Sequence, residues 1–129
     1  MDSERGREGA CERTRRACER SDVDGFISQN TEEPKLLQFT ASWCSRCHTL
    51  KAELVDVLDH DVEWLTVDLT APGLEDVTEV FEVYKLPRVD VVGSGGVVVS
   101  LTGFDCTSGA ILKAIENSRR PRLILDADF

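Results

Sequence analysis

Between Lys35 and Leu58 the hydrophobic period changes, and that change constrains the fold more than any other feature of the chain. "KLLQFTA" packs Leu36, Leu37 and Phe39 into a short run bounded by Pro34, the pattern of a buried strand. From Cys44 onward, apolar residues recur at steps of three and four, through Cys47, Leu50, Leu54 and either Val57 or Leu58, which describes one face of a helix. "SWCSRC" therefore lies at a strand-to-helix junction, with Cys44 at the start of the helix and Cys47 one turn in.

The rest of the chain supplies elements of matching size. "SDVDGFISQN" predicts a short helix with Ser21 or Asp22 as its N-cap, closed by "EEP". "VEWLTVD" is a second β-type run in which Trp64 is a packing residue. "PGLEDVTEVFEVY" puts Leu74, Val77, Phe81 and Tyr84 at helical steps, with Pro72 near the helix start. "RVDVV" and "VVVSL" are strands joined through "GSGG", whose glycines can take the positive φ that a tight hairpin demands. "TSGAILKAIEN" is a final helix, capped by Asp105 or Thr107, with Ala110, Ile111, Ala114 and Ile115 facing inward. The order β-α-β-α-β-β-α predicts an α/β domain with a central mixed sheet flanked by helices.

A chain of 129 residues has room for one sizeable core. Residues 1–20 hold six arginines and five acids with no branched or aromatic core former, so a disordered charged arm is expected there, with "RACE" as a weak edge strand at most. Cys11 and Cys18 would share a face if the arm were helical. The domain is expected over 21–117 and a tail over 118–129. A net charge of −9 gives no overall field for nucleic acid or anionic lipid. No apolar run is long enough for a membrane span, and the first twenty residues lack the apolar centre of a secretory signal. Five cysteines form an odd, irregular set, unlike a secreted disulfide framework. A cytoplasmic monomer is the expectation, and in a reducing compartment a close cysteine pair is a metal clip or a redox couple.

A closed zinc site needs four ligands. Beyond Cys44 and Cys47 the chain offers His48, His60 and Cys106 but no second paired motif, so a redox couple is expected, with no metal and no bound cofactor. At a helix start the sulfur of Cys44 meets unpaired N–H groups and the positive end of the helix dipole, which favour the thiolate that attacks disulfides. Arg46 adds positive charge between the two thiols. Cys47, on the apolar stripe, is placed to resolve a mixed disulfide. Cys106 is expected to be quiet, His48 to sit on the helix surface, and Asp90, costly to bury, to face an edge or a partner.

"LLQFTASWCSRCHTLKAEL" resembles the active-site strand, Trp-Cys-x-x-Cys segment and helix of thioredoxins, and "YKLPRVDVV" is similar to their cis-proline segment, with Pro87 43 residues after Cys44. The resemblance covers about 21–117. It implies a thioredoxin fold and a thiol-disulfide oxidoreductase acting on protein disulfides. Cys44 and Cys47 would be catalytic, Trp43, Arg46 and Pro87 supporting, and backbone groups near Leu86 and Gly103 would hold an extended substrate segment. Electrons would come from a thioredoxin reductase or from glutathione. The alternatives are a glutaredoxin-like enzyme, or an interaction module that binds a partner through the Trp43–Pro87 surface. The departures are Ser45-Arg46 between the cysteines, which implies a less reducing couple, Gln38 where the family has a buried aspartate, Arg88 after the proline, and Ala52 for a mid-helix proline.

Overall fold

The computed structural model describes residues 15–29, 33–59 and 61–119. Among these residues five strands form one sheet: β1 (Arg15–Arg16), β2 (Lys35–Thr40), β3 (Trp64–Asp68), β4 (Arg88–Gly93) and β5 (Gly96–Thr102), in the order β1-β3-β2-β4-β5. β1, β3 and β2 run parallel, β4 adds antiparallel to β2 and β5 antiparallel to β4, so the sheet is mixed as expected. Among the described residues four helices flank it: α1 (Arg20–Ser28), α2 (Ser45–Val57), α3 (Val77–Val80) and α4 (Ser108–Arg119). Among the described residues no helix is long and apolar enough to cross a membrane.

β2 is central and closed in on both faces, which is why its sequence reads as a continuous run rather than an alternation. Leu37 and Phe39 face one core with Val23 and Phe26 of α1 and Val77 of α3. Leu36 faces the other, with Leu50 and Leu54 of α2, Trp64 and Ile111 and Ile115 of α4. Of the two candidates ending the α2 stripe, Leu58 is buried and Val57 is exposed.

Three boundaries differ from expectation. Packing on the sheet already includes Arg15, ahead of the expected start at Ser21: the two-residue β1 pairs with Leu65 and Thr66, Ala17 is buried, and Thr66 Oγ1 donates to the Arg15 carbonyl. α1 is capped by Glu19 rather than Ser21 or Asp22; Asp22 instead reaches back, accepting from the Cys18 and Glu19 N–H groups at 2.8 and 3.2 Å. α4 extends to Arg119, past the expected end at 117. The remainder of the arm and the tail, with Cys11 and His60, lie outside the described residues.

The largest correction concerns Pro72–Tyr84. It is mostly turns around the four-residue α3, not a long helix. Gly73 takes φ +90 where a Cβ would stand 2.7 Å from the Cys18 carbonyl oxygen, and Glu82 takes φ 56 just past α3. Neither angle is helical, so the segment buries Leu74, Val77 and Val83, and Tyr84 is exposed. The helical spacing was accidental. Elsewhere, Gly96 at φ 116 turns the β4–β5 hairpin, and Thr107 caps α4, its Oγ1 accepting from the Ala110 N–H at 3.1 Å.

Candidate active site

The end of β2 turns over four residues into α2. The Cys44 N–H donates to the Ala41 carbonyl at 3.1 Å, and the Ser42 N–H donates to Thr70 Oγ1 at 3.1 Å, which ties the turn to the segment after β3. Thr70 is held in turn by Asp68. Cys44 is the N-cap of α2, in extended conformation, and its Sγ accepts the Cys47 N–H at 3.2 Å. A cap oxygen usually fills this role; here the sulfur does. Cys44 and Cys47 are joined as a disulfide with their Cα atoms 5.3 Å apart. Cys47 is wholly buried and Cys44 is 7% exposed, so the first cysteine is the more accessible of the two.

The sequence-predicted residues gather here. Trp43 stands exposed at the rim, and Leu86 packs on Ala41, Cys44 and Cys47. The Leu86–Pro87 bond is cis, and Pro87 is buried. Gly103, at φ 60, lies beside this loop, but its N–H donates to the Pro87 carbonyl at 2.9 Å. That bond occupies this donor and joins the Gly103 turn to the cis-proline loop. Arg46 places its guanidinium 4.5 Å from the ring centroid of Phe104, a residue that no motif or spacing singles out. His48 is exposed, as expected, with Nε2 3.2 Å from the Ser42 carbonyl oxygen.

Beneath the pair lies Gln38, fully buried. Its Oε1 accepts the Trp64 indole N–H at 3.1 Å and its Nε2 donates to the Cys47 carbonyl at 3.4 Å. Trp64 is thus more than packing. The amide meets a donor and an acceptor at once, which no carboxylate can do.

Cys106 is buried, and burial pushes its thiol up to about 11 against the opposing pull of a backbone hydrogen bond at Val89 and the Arg46 charge. It is a quiet thiol. Cys18 is exposed and unpaired. Asp90 does not lie at an edge: it is buried in β4, between β2 and β5, and Arg88 meets it with Nε and Nη2 at 3.0 Å each. Nothing in the sequence pairs these two, although i and i+2 on one strand face the same side.

The thioredoxin family model matches residues 17–117. Among solved structures, the chain is similar to the short form of thioredoxin f from spinach chloroplast, at 17% identity over 83% of this chain and 94% of that one, with a TM-score of 0.68. It is likewise similar to mitochondrial thioredoxin 3 from Saccharomyces cerevisiae in its oxidised form, at 19% identity over 84% and 98%, with a TM-score of 0.69. A complex of ferredoxin:thioredoxin reductase with thioredoxin f2 matches at 15% identity over 83% and 96%, with a TM-score of 0.70. No curated protein matches the chain in sequence.

Proposed function

Because the chain belongs to the thioredoxin family, and its neighbouring cysteines make it a thiol-disulfide oxidoreductase acting on protein disulfides, we propose the following cycle for it. In the reduced protein the Cys44 thiolate attacks one sulfur of a substrate disulfide, forming a mixed disulfide and releasing the other substrate sulfur as a thiolate. The Cys47 thiolate then attacks Cys44 Sγ. The second substrate thiolate leaves, and two electrons have passed from the enzyme dithiol to the substrate, giving the Cys44–Cys47 disulfide seen here.

One observation carries the assignment of roles: Cys44 Sγ lies at the first turn of α2 on the Cys47 N–H and keeps some exposure, while Cys47 is wholly buried. The N–H and the helix dipole favour a thiolate at Cys44. Trp43, Leu86 and Pro87 shape the surface that receives an extended substrate segment. With Ser45 and Arg46 between the thiols, the couple is less reducing than a typical thioredoxin. A thioredoxin reductase is the electron donor, in keeping with the reductase complex formed by thioredoxin f2; glutathione is the alternative. The cytoplasm is the proposed compartment, as an electron carrier in redox homeostasis, because the exposed, unpaired Cys18 is in keeping with reducing surroundings.

Cys47→Ser tests the order of attack. It should accumulate mixed disulfides through Cys44 that dithiothreitol releases. A pure binding module would instead retain its partner after both thiols are replaced. Reduction of insulin disulfides, driven by a thioredoxin reductase or by glutathione, identifies the donor, and Cys44→Ser should abolish it.

A further inference from the structure

The segment between α3 and β4 carries Leu86 and Pro87 to the disulfide, and one side chain closes it at both ends. Arg88 is the residue immediately after Pro87. Its Nη1 donates to the Phe81 and Glu82 carbonyls at 2.9 and 3.2 Å, at the other end of the same loop. Nε and Nη2 fork onto Asp90 at 3.0 Å each, and the guanidinium lies 5.0 Å from the Phe39 ring centroid in β2. The loop is thereby pinned to the central strands. Between its ends, Val83 is buried, its N–H donating to the Thr78 carbonyl at 2.9 Å, and Leu86 packs against Cys44 and Cys47.

Two features say that this arrangement does more than add stability. Glu82 holds φ 56, a left-handed conformation that a non-glycine residue keeps only where its surroundings over-determine it. Arg88 Nη1 contacts the carbonyls on either side of that residue's N–H, at Phe81 and Glu82. Second, the side chains of Arg88 and Asp90 are 15% and 2% exposed. A buried ion pair contributes little net stability over apolar residues of similar size, and its best-attested use is to fix one arrangement among several. Only a planar fork can bond Asp90 with one edge and two backbone carbonyls with another nitrogen. Lysine cannot span both.

We propose that Arg88 is a positioning residue: it latches residues 81–87 in the shape that presents Leu86 and Pro87 to the substrate. This rests on the assignment of Leu86 and Pro87 to the substrate surface. Arg88 is not given a part in the electron transfer itself, so its loss should change how substrate is held and leave the couple's equilibrium alone.

The test uses the full chain with Arg88→Lys, which keeps a cation beside Asp90, and the double variant Arg88→Leu/Asp90→Leu, which leaves no buried charge unpaired if the lysine variant folds poorly. Amide hydrogen exchange over 82–86 and insulin reduction driven by dithiothreitol are measured together. Protection of 82–86 should fall about tenfold or more relative to β2 and β3. KM for insulin should rise about fivefold or more while kcat and the equilibrium with glutathione stay within about twofold. Unchanged protection of the loop in both variants overturns the latch. Lost protection with KM unchanged also overturns the positioning role, and Pro87→Ala then separates the two ideas: a raised KM in Pro87→Ala leaves the substrate surface standing and removes only Arg88, whereas an unchanged KM removes the surface as well.

Discussion

Replacing Gln38 by glutamate changes one buried nitrogen to oxygen and nothing else in shape. In the wild-type protein Oε1 accepts from Trp64 at 3.1 Å and Nε2 donates to the Cys47 carbonyl at 3.4 Å. A glutamate keeps the first contact. At the second, an ionised oxygen faces a carbonyl oxygen, and only the protonated acid restores a hydrogen bond. With the side chain fully buried, both desolvation and this contact favour the neutral form, so the folded-state pKa of the introduced carboxyl rises above its unfolded value of about 4.3. Stability is then fully present below about pH 4 and is lost as pH rises through the folded pKa, at about 1.4 kcal/mol for each pH unit between the unfolded and folded values. A rise of about two to three pH units, ordinary for a buried carboxyl, costs about 3 to 4 kcal/mol near pH 8, a large part of the roughly 5 to 15 kcal/mol typical of a domain. Urea unfolding of the oxidised protein at pH 4, 6 and 8 measures it. Gln38→Leu is the control: it strands the Trp64 N–H and should lose about 1 to 3 kcal/mol at every pH. A Gln38→Glu deficit equal at pH 4 and pH 8 would refute the reasoning.

Cys106, with its thiol raised to about 11 by burial, favours the folded state below the unfolded thiol range near pH 9, and that contribution is lost as pH rises from about 9 through 11. Lys35 works in the opposite sense: burial lowers its pKa, so it opposes folding while charged and ceases to as pH rises. The measurement is therefore the difference between wild type and Cys106→Ala, which should shrink by about 2 kcal/mol between pH 8.5 and 11 in urea unfolding; a constant difference counts against a buried neutral thiol. Gly73→Ala should cost about 2 kcal/mol or more, since it adds left-handed strain to a Cβ 2.7 Å from the Cys18 carbonyl oxygen, while Gly95→Ala, with no atom within 4 Å of the added Cβ, should be nearly neutral. Equal thermal midpoints for the two variants would mean that residues 15–18 do not hold their place against Gly73.

Much of this protein is legible along the chain. The change of period at Cys44, the valines of β4 and the stripe of Ile111 and Ile115 each report which side of a local element is apolar, and burial follows from that, whereas Val97 and Val98 of β5 stay exposed. The cysteine pair at a helix start and the proline before β4 are local too. What the chain could not show alone is how polar groups and turns find partners. Arg88 spans from Asp90 back to Phe81, Gln38 meets Trp64 26 positions away, and Gly103 gives its N–H to Pro87. The same holds for Gly73, which must stay free of a side chain because Cys18 lies against it, and for the short β1, which owes its place to β3 rather than to its own arginines. Periodicity records exposure to an apolar side without saying which residues lie on it. A hydrogen bond or a forced backbone angle depends on a particular atom arriving from a distant segment, and only the folded chain brings that atom there.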